Sequence, residues 1–334
     1  MHKLWAICLT LASATGAADW RYYGFDPGNS RYSPEKQINT SNIQRLKVAW
    51  TWHTGDKSDR PVTQIQCTPL VIDGVMYVTT AQLKVAALRA GTGAVLWTFD
   101  PFAGSDDEKP RGVNRGVMFW SAGAQKRVFF TYRHKLVGLD AVTGKPASGF
   151  GDNGVVDLTR GLDRDITDLA YYVTTPGVIY GDLLILGSTT GEGPQPAAPG
   201  HVRAFDVLTG KQKWIFHTIP HPGEFGYETW PPDAYKRSGG TNVWGGLSLD
   251  LKRGMVFLAT GSPTFDFYGG DRVGDNLFAN SLVALDAKYF WWSRPFPSYW
   301  RKNTGERRGR RFSRLLALAQ ISTGVISLDG PCFL

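Results

Sequence analysis

"RAFDVLTGKQKW", residues 203–214, reads as the end of one strand, a tight turn and the start of the next. Its form, two apolar residues then Asp-x-x-Thr-Gly-Lys and an aromatic, recurs along the chain. "AALRAGTGAVLW" (86–97), "VGLDAVTGKPASGF" (137–150) and "VALDAKYFWW" (283–292) repeat it with variations. The aspartate slot falls at Arg89, a departure, and then at Asp140, Asp206 and Asp286. The apolar residues close a strand, Asp, Thr and Gly build the turn, and glycine supplies a left-handed backbone without steric cost. The aromatic opens the next strand and is expected to pack on a neighbouring unit.

A second hairpin precedes most copies: "PLVIDGVMYVTT" (69–80), "PGVIYGDLLILGS" (176–188) and "LDLKRGMVFLATGS" (249–262). Asp73-Gly74, Gly181-Asp182 and Arg253-Gly254 are their turns, flanked by β-branched and apolar residues. "RVFFTYRHKLVGLDA" (127–141) fits the scheme with a weaker turn. Units of four short strands, repeated, predict an all-β fold, a β-propeller of four-stranded blades. The aspartate slots are 51, 66 and 80 residues apart. A minimal blade takes about 40–45 residues, so long loops must join the strands. The candidates are 100–120 and 219–246, and loops of this kind carry function.

Composition agrees. The 334 residues are 42% hydrophobic and 13% aromatic, with 39 Gly and 19 Pro, which favours strands and turns over long helices. The net charge of +8 belongs to the tail. From Lys288 onward nine Lys/Arg face two acidic residues, and the rest of the chain is near +1. A body without a basic stripe argues against nucleic-acid binding.

"MHKLWAICLTLASATGAADW" (1–20) has a cationic start, a short apolar run and small residues at Gly16, Ala17 and Ala18. This is the anatomy of a secretory signal peptide over residues 1–18, with a buried N-terminal helix as the alternative. The run is too short for a permanent membrane span, and no integral membrane segment is expected in the mature chain. Of three cysteines, Cys8 would leave with the leader and Cys332 lies in the tail, so Cys67 has no partner in the body. "TGKP" (143–146) lacks the spacing of a phosphate loop. His217 and His221 have a metal-like spacing, but the flanking Pro220 and Pro222 favour a surface loop over a zinc site.

"DWRYYGFDPGNSRYSPEKQINTSNIQRLKVAWTWHTGD" (19–56), "RGVMFW", "GFGDNGVVDL", "GGTNVWGGLSLD" and "TGSPTFDFYGGDRVGDNLFANSLVALDA" resemble the pyrroloquinoline quinone (PQQ)-dependent dehydrogenases of bacterial periplasms. The resemblance spans residues 19 to about 287 and leans toward the glucose dehydrogenase-like branch. It implies an eight-bladed propeller, here incomplete, exported to the periplasm. It also implies PQQ near the axis with a calcium ion as Lewis acid, and an aspartate as general base toward a sugar or alcohol. A hydride passes to the cofactor, and electrons leave to a separate acceptor, a quinone or a cytochrome.

Carried over residue by residue, Trp244 in "TNVWGG" matches the tryptophan under the cofactor; a core tryptophan is the alternative. Arg115 in "GVNRGV" matches the arginine that reaches it, where a guanidinium fork suits a carboxylate or quinone oxygen; a surface arginine is the alternative. Thr174 in "YYVTTP" matches a cofactor-bonding threonine. Gln66 stands where relatives place a glutamate. Glu192 in "GSTTGEG" matches the calcium glutamate of the alcohol-dehydrogenase branch, or is a solvated loop residue. Ser262 in "TGSP" replaces a calcium-binding asparagine and is a weaker ligand. Lys109 and Pro110 stand where that branch pairs two cysteines, which favours the sugar or polyol side.

After Asp286 relatives continue through Thr-Gly-Lys to the catalytic aspartate; here residues 288–334 turn abruptly to Arg and Trp. A reading-frame change near residue 288 accounts for the break, and an evolved basic tail is the alternative. No catalytic residue is assigned, and a chain ending so is expected to be inactive alone. A non-catalytic propeller that holds partner proteins is the competing function.

Overall fold

The computed structural model describes residues 18–60, 62–104, 112–194 and 196–288. The expected leader up to residue 17, Lys109 and Pro110, and the basic tail past Lys288 lie outside them. Among the described residues β-strands dominate, with one four-residue helix, α1 (Ala234–Arg237). No helix among them is long and apolar enough to cross a membrane.

Strands β1 (Leu70–Ile72), β2 (Val75–Thr79), β3 (Val85–Arg89) and β4 (Val95–Phe99) form a first four-stranded antiparallel sheet in sequence order. Its β1–β2 turn is Asp73-Gly74, with φ of +52° and +75°. Two left-handed residues in a two-residue loop match the natural twist of a hairpin. The second sheet holds β5 (Met118–Ala122), β6 (Gln125–Tyr132), β7 (Lys135–Asp140) and β8 (Val155–Asp157). The weak turn of the sequence proves to be Arg133-His134, with Arg133 at φ +48°.

Beyond lie β9 (Tyr171–Tyr172), β10 (Val178–Tyr180), β11 (Leu183–Leu186), β12 (Thr189–Thr190), β13 (Val202–Asp206) and β14 (Gln212–Phe216). The third sheet runs β10-β11-β13-β14, while β9 pairs with β12. Finally come β15 (Gly239–Gly240), β16 (Leu247–Asp250), β17 (Met255–Ala259), β18 (Pro263–Thr264) and β19 (Leu282–Asp286). Among the described residues the fourth sheet has three strands, β16-β17-β19, and β15 pairs with β18. The result is an incomplete propeller.

The repeated phrase is one hydrogen-bonded device. Asp140 Oδ1 accepts from Val142 N at 3.1 Å, Thr143 N at 2.8 Å and Thr143 Oγ1 at 2.8 Å. Asp206 Oδ1 accepts from Leu208 N, Thr209 N and Thr209 Oγ1 at 3.0, 2.8 and 2.9 Å. Where Arg89 replaces the aspartate, the backbone bond from Gly93 N to Arg89 O, 2.8 Å, keeps the turn. Asp286 still accepts from Lys288 N at 2.8 Å, so the turn starts before the phrase departs from its pattern.

The aromatic closing each phrase staples sheets together. Trp97 Nε1 donates to Ala141 O at 3.1 Å, in the next sheet's turn, and Trp214 Nε1 to Ala287 O at 3.3 Å. Trp50 Nε1 does the same to Ala90 O at 3.0 Å, though its segment belongs to no strand among the described residues. In the second sheet the phrase closes on Phe150, which has no N–H to offer. The contacts to the next sheet come from Arg127 Nη1, which donates to Val207 O at 2.7 Å, and from Trp120 Nε1 of β5, which donates to Asp182 Oδ1 at 3.0 Å.

Three apolar cores lie between successive sheets. In β6, Val128 and Phe130 face the first sheet with Leu70, Val85 and Leu139, while Phe129 faces the third with Leu184 and Phe205. Ile185, Val202 and Phe216 meet Val256, Val283 and Leu285 of the fourth. This is period-two alternation with both faces buried. Each fully buried large side chain contributes about 1.5–3 kcal/mol. On the outer sheets apolar side chains are exposed: Val95 and Leu96 of β4 on the first, and Leu282 of β19 on the fourth.

The Trp97 staple rests on Gly144, at φ +70°, where an added Cβ would lie 2.5 Å from the indole. Gly144→Ala should cost about 2–3 kcal/mol, from left-handed strain plus displacement of the ring. Gly74→Ala carries similar strain at φ +75° with nothing within 4 Å. Its cost should be about 1 kcal/mol. Equal losses in urea midpoint for the two variants would remove the staple from the account.

Candidate functional site

A cleft of about 960 Å³ gathers Arg115, Thr174, Glu192, Trp244 and Ser262 on its walls, with Thr190, Asn242 and Asp266. This is the upper end of the range for small-ligand sites. Five of the six residues singled out in the sequence therefore meet in space. Each sits just outside a strand: Arg115 before β5, Thr174 after β9, Glu192 after β12, Trp244 before β16, Ser262 after β17. Gln66 is the exception; it is exposed and does not line the cleft.

Arg115 is held from both sides. Its N–H donates to Thr174 O at 2.8 Å and its carbonyl accepts from Thr68 N at 2.9 Å. The neighbouring Asn114, buried, accepts from Gly116 N at 2.7 Å and donates to Thr131 O at 2.9 Å, which fixes the loop. The guanidinium Nη1 donates to Thr174 Oγ1 at 2.7 Å and Thr175 Oγ1 at 3.1 Å. Thr175 Oγ1 in turn donates to Trp244 O at 2.6 Å. One chain of hydrogen bonds thus couples the cation to the backbone of the tryptophan. Thr175 was not singled out in the sequence, although it adjoins Thr174.

The Trp244 side chain is not a core tryptophan. The residue is 56% exposed on the cleft wall, beside Gly245 and Gly246, which leave the approach free of side chains. Thr190 Oγ1 is buried on the same wall without a hydrogen-bond partner. An orphaned hydroxyl facing a cleft is a place for a polar ligand atom. A flat anionic heteroaromatic such as PQQ fits this donor set: an open indole face, a fixed guanidinium and a vacant hydroxyl.

The acidic wall holds Glu192 and Asp266, with Asp266 N donating to Glu192 O at 3.3 Å. Burial, then the charge of Glu192, pushes the Asp266 carboxyl above its ordinary value, against the opposing pull of Arg272. Ser262 Oγ donates to Asn280 Oδ1 at 3.1 Å and keeps lone pairs free. Carboxylate and hydroxyl oxygens suit a hard divalent cation such as calcium. Asp266 escaped the sequence reading, since "FDFYGGD" carries no spacing that marks a ligand.

The surface-loop reading of His217 and His221 needs correction. Their side chains are 16% and 23% exposed and their rings stack at 3.9 Å. They meet Asp163 and His201, away from the cleft lining.

The family described as "PQQ: Glucose/ethanol/alcohol dehydrogenase, beta-propeller domain" matches residues 20–292. Quinoprotein glucose dehydrogenase A of Acinetobacter calcoaceticus is 33% identical over 300 residues, covering 81% of this chain and 36% of that protein. Quinate/shikimate dehydrogenase (quinone) of Acinetobacter baylyi is 33% identical over 293 residues, covering 80% and 36%. The crystal structure of quinohemoprotein alcohol dehydrogenase from Comamonas testosteroni superposes with a TM-score of 0.65 at 28% identity, covering 82% of this chain and 40% of that one. The chain thus spans little more than a third of its curated relatives' length. Repeated turns, tryptophan staples and four-stranded sheets stacked around a cleft agree with that match over most of the sequence, and the chain belongs to the PQQ glucose/ethanol/alcohol dehydrogenase β-propeller family.

Proposed function

We propose that the chain forms part of a periplasmic PQQ-dependent dehydrogenase that oxidises a sugar or an alcohol, with a separate quinone or cytochrome as electron acceptor. The carrying observation is the network Arg115–Thr175–Trp244, which fixes a cation beside an exposed indole in one cleft. Trp244 would form the floor under PQQ. Arg115 and Thr174 would hold its oxygens, and Thr190 Oγ1 would gain its missing partner. Glu192, Asp266 and Ser262 would hold calcium. When bound, the quinone supplies two-electron oxidation. The chain's own residues bind and orient the cofactor. No aspartate in the cleft is assigned as general base, so the 334-residue chain is expected to bind PQQ without turnover.

Titration with PQQ tests this by quenching of tryptophan fluorescence. Stacking on an aromatic face is worth about 1–3 kcal/mol, so Trp244→Ala should weaken binding roughly 10–100-fold. Quenching by PQQ that is unchanged in Trp244→Ala would sink the assignment. A propeller that only holds partner proteins needs neither the fixed guanidinium nor the vacant Thr190 hydroxyl, and should show no saturable quenching.

A further inference from the structure

A second cluster of chemistry lies outside the cleft, where the loop after β8 meets the ends of β13 and β14. One potential ligand atom each from Asp163, His201, His217 and His221 lies within 4.8 Å of the others. We propose that Asp163, His217 and His221 bind a divalent first-row transition metal of the zinc type, with His201 and Glu224 as the residues that position them.

The hydrogen bonds decide which residues are ligands. Thr218 N–H donates to His201 Nδ1 at 3.2 Å, so that nitrogen carries the lone pair. The ring proton then sits on Nε2, which donates to Asp163 Oδ2 at 3.1 Å. His201 is 1% exposed. It cannot offer Nε2 to a metal without losing the Thr218 bond. Its part is to orient the carboxylate of Asp163.

His217 is oriented the opposite way. Its Nδ1 lies 2.7 Å from Glu224 Oε1 and donates to it, which leaves Nε2 as a lone pair. Glu224 is itself fixed, since Oε2 accepts from His221 N at 2.7 Å. A carboxylate behind a histidine is the arrangement that sets tautomer and basicity in metal sites. His221 Nε2 lies 2.6 Å from Asp163 Oδ2, and a metal ion there takes the place of the shared proton. Arg164, next to Asp163, points its Nη2 instead at Ala197 O and Ser238 O, 2.7 and 2.8 Å away.

Two imidazoles and one carboxylate favour zinc, cobalt or nickel over calcium. Three protein ligands leave a coordination position open to water. The opening is at His221, the most exposed of the three side chains at 23% against 16% for His217 and 11% for Asp163. The His217 and His221 rings are parallel, 3° apart in plane. An ion lies in the plane of each ring it binds, so the rings fan apart on loading. The bound ion ties the loop after β8 to the 217–226 loop, which the stack and the Asp163 contacts already bring together.

The full chain, stripped by chelator, is titrated with Co²⁺ and followed by its visible absorption, then challenged with Zn²⁺. The expected result is one saturable Co²⁺ site per chain, displaced by Zn²⁺, and lost in the His217→Ala/His221→Ala double variant. Glu224→Gln keeps the shape of the loop and should weaken binding about 10–100-fold. No saturable binding below about 1 mM overturns the proposal, as does an affinity unchanged in either variant. The readout needs neither PQQ nor turnover, so it stands or falls apart from the cleft.

Discussion

Arg203→Met is expected to lower stability by about 3–5 kcal/mol, a large share of the 5–15 kcal/mol typical of a folded domain. Arg203 lies on β13 and is 2% exposed, among the largest side chains wholly inside the protein. Its Nη2 donates to Leu158 O at 2.6 Å and Tyr171 Oη at 2.8 Å, and Nη1 donates to Arg160 O at 2.8 Å. The guanidinium lies 5.6 Å from the centre of the Tyr171 ring and 5.3 Å from that of Phe205. Methionine restores most of the apolar volume but leaves the buried Leu158 carbonyl and Tyr171 hydroxyl, and the part-buried Arg160 carbonyl, without donors. Each such orphan costs about 1–3 kcal/mol, which outweighs the relief of burying no charge.

The consequence reaches the cleft. Tyr171 sits on β9, three residues before Thr174, and β9 is paired only with the two residues of β12. Without Arg203 the 158–160 turn and β9 lose their common anchor. Urea unfolding should show a lower midpoint with an unchanged slope, since the surface exposed on unfolding is the same. A variant within 1 kcal/mol of the parent would mean that water reaches these carbonyls and that the anchor is dispensable.

What the sequence disclosed follows from the range of the forces. Asp140, Thr143 and Gly144 interact within four residues, so their turn is written in consecutive letters. Trp97 is legible as a packing residue, but its acceptor, Ala141 O, is not, because it lies 44 residues along the chain. Arg127 in the role of an indole donor has no local signature at all. The 100–120 stretch read as a loop to its end, yet β5 begins at Met118, because Gly123-Ala124 is a weak turn pair. The cleft residues were found through family resemblance to known motifs. Asp266 and Thr175 lie within matched segments without being singled out there, and their places in the cleft wall and in the hydrogen-bond chain emerge only from the fold. For His217 and His221 the flanking Pro220 and Pro222 point to a surface loop, and nothing local offsets them, because the partner that draws the pair inward, Asp163, lies 58 residues from His221.

Arg115→Ala should weaken PQQ binding about 100–1,000-fold, more than the loss of the tryptophan floor, if the cleft holds PQQ as proposed. The guanidinium has five N–H donors, and Nη1 is engaged by the hydroxyls of Thr174 and Thr175. Those two bonds aim the remaining donors and limit the entropy lost on binding. Truncation removes the cation from a half-buried wall and leaves an anionic ligand carboxylate desolvated without a partner, which costs about 2–5 kcal/mol. Lysine should not restore the affinity, because a single ammonium cannot form the planar fork. Thr174→Val removes one orienting bond and should cost only about 10-fold. The bond from Thr175 Oγ1 to Trp244 O does not involve the arginine, so the indole stays in place and fluorescence quenching remains a valid readout. A methyl-esterified PQQ, which lacks the charge, should bind the parent and Arg115→Ala nearly alike. Equal affinity of the two proteins for PQQ itself would show that the Arg115 side chain serves the loop, through Thr174 and Thr175, and not the ligand.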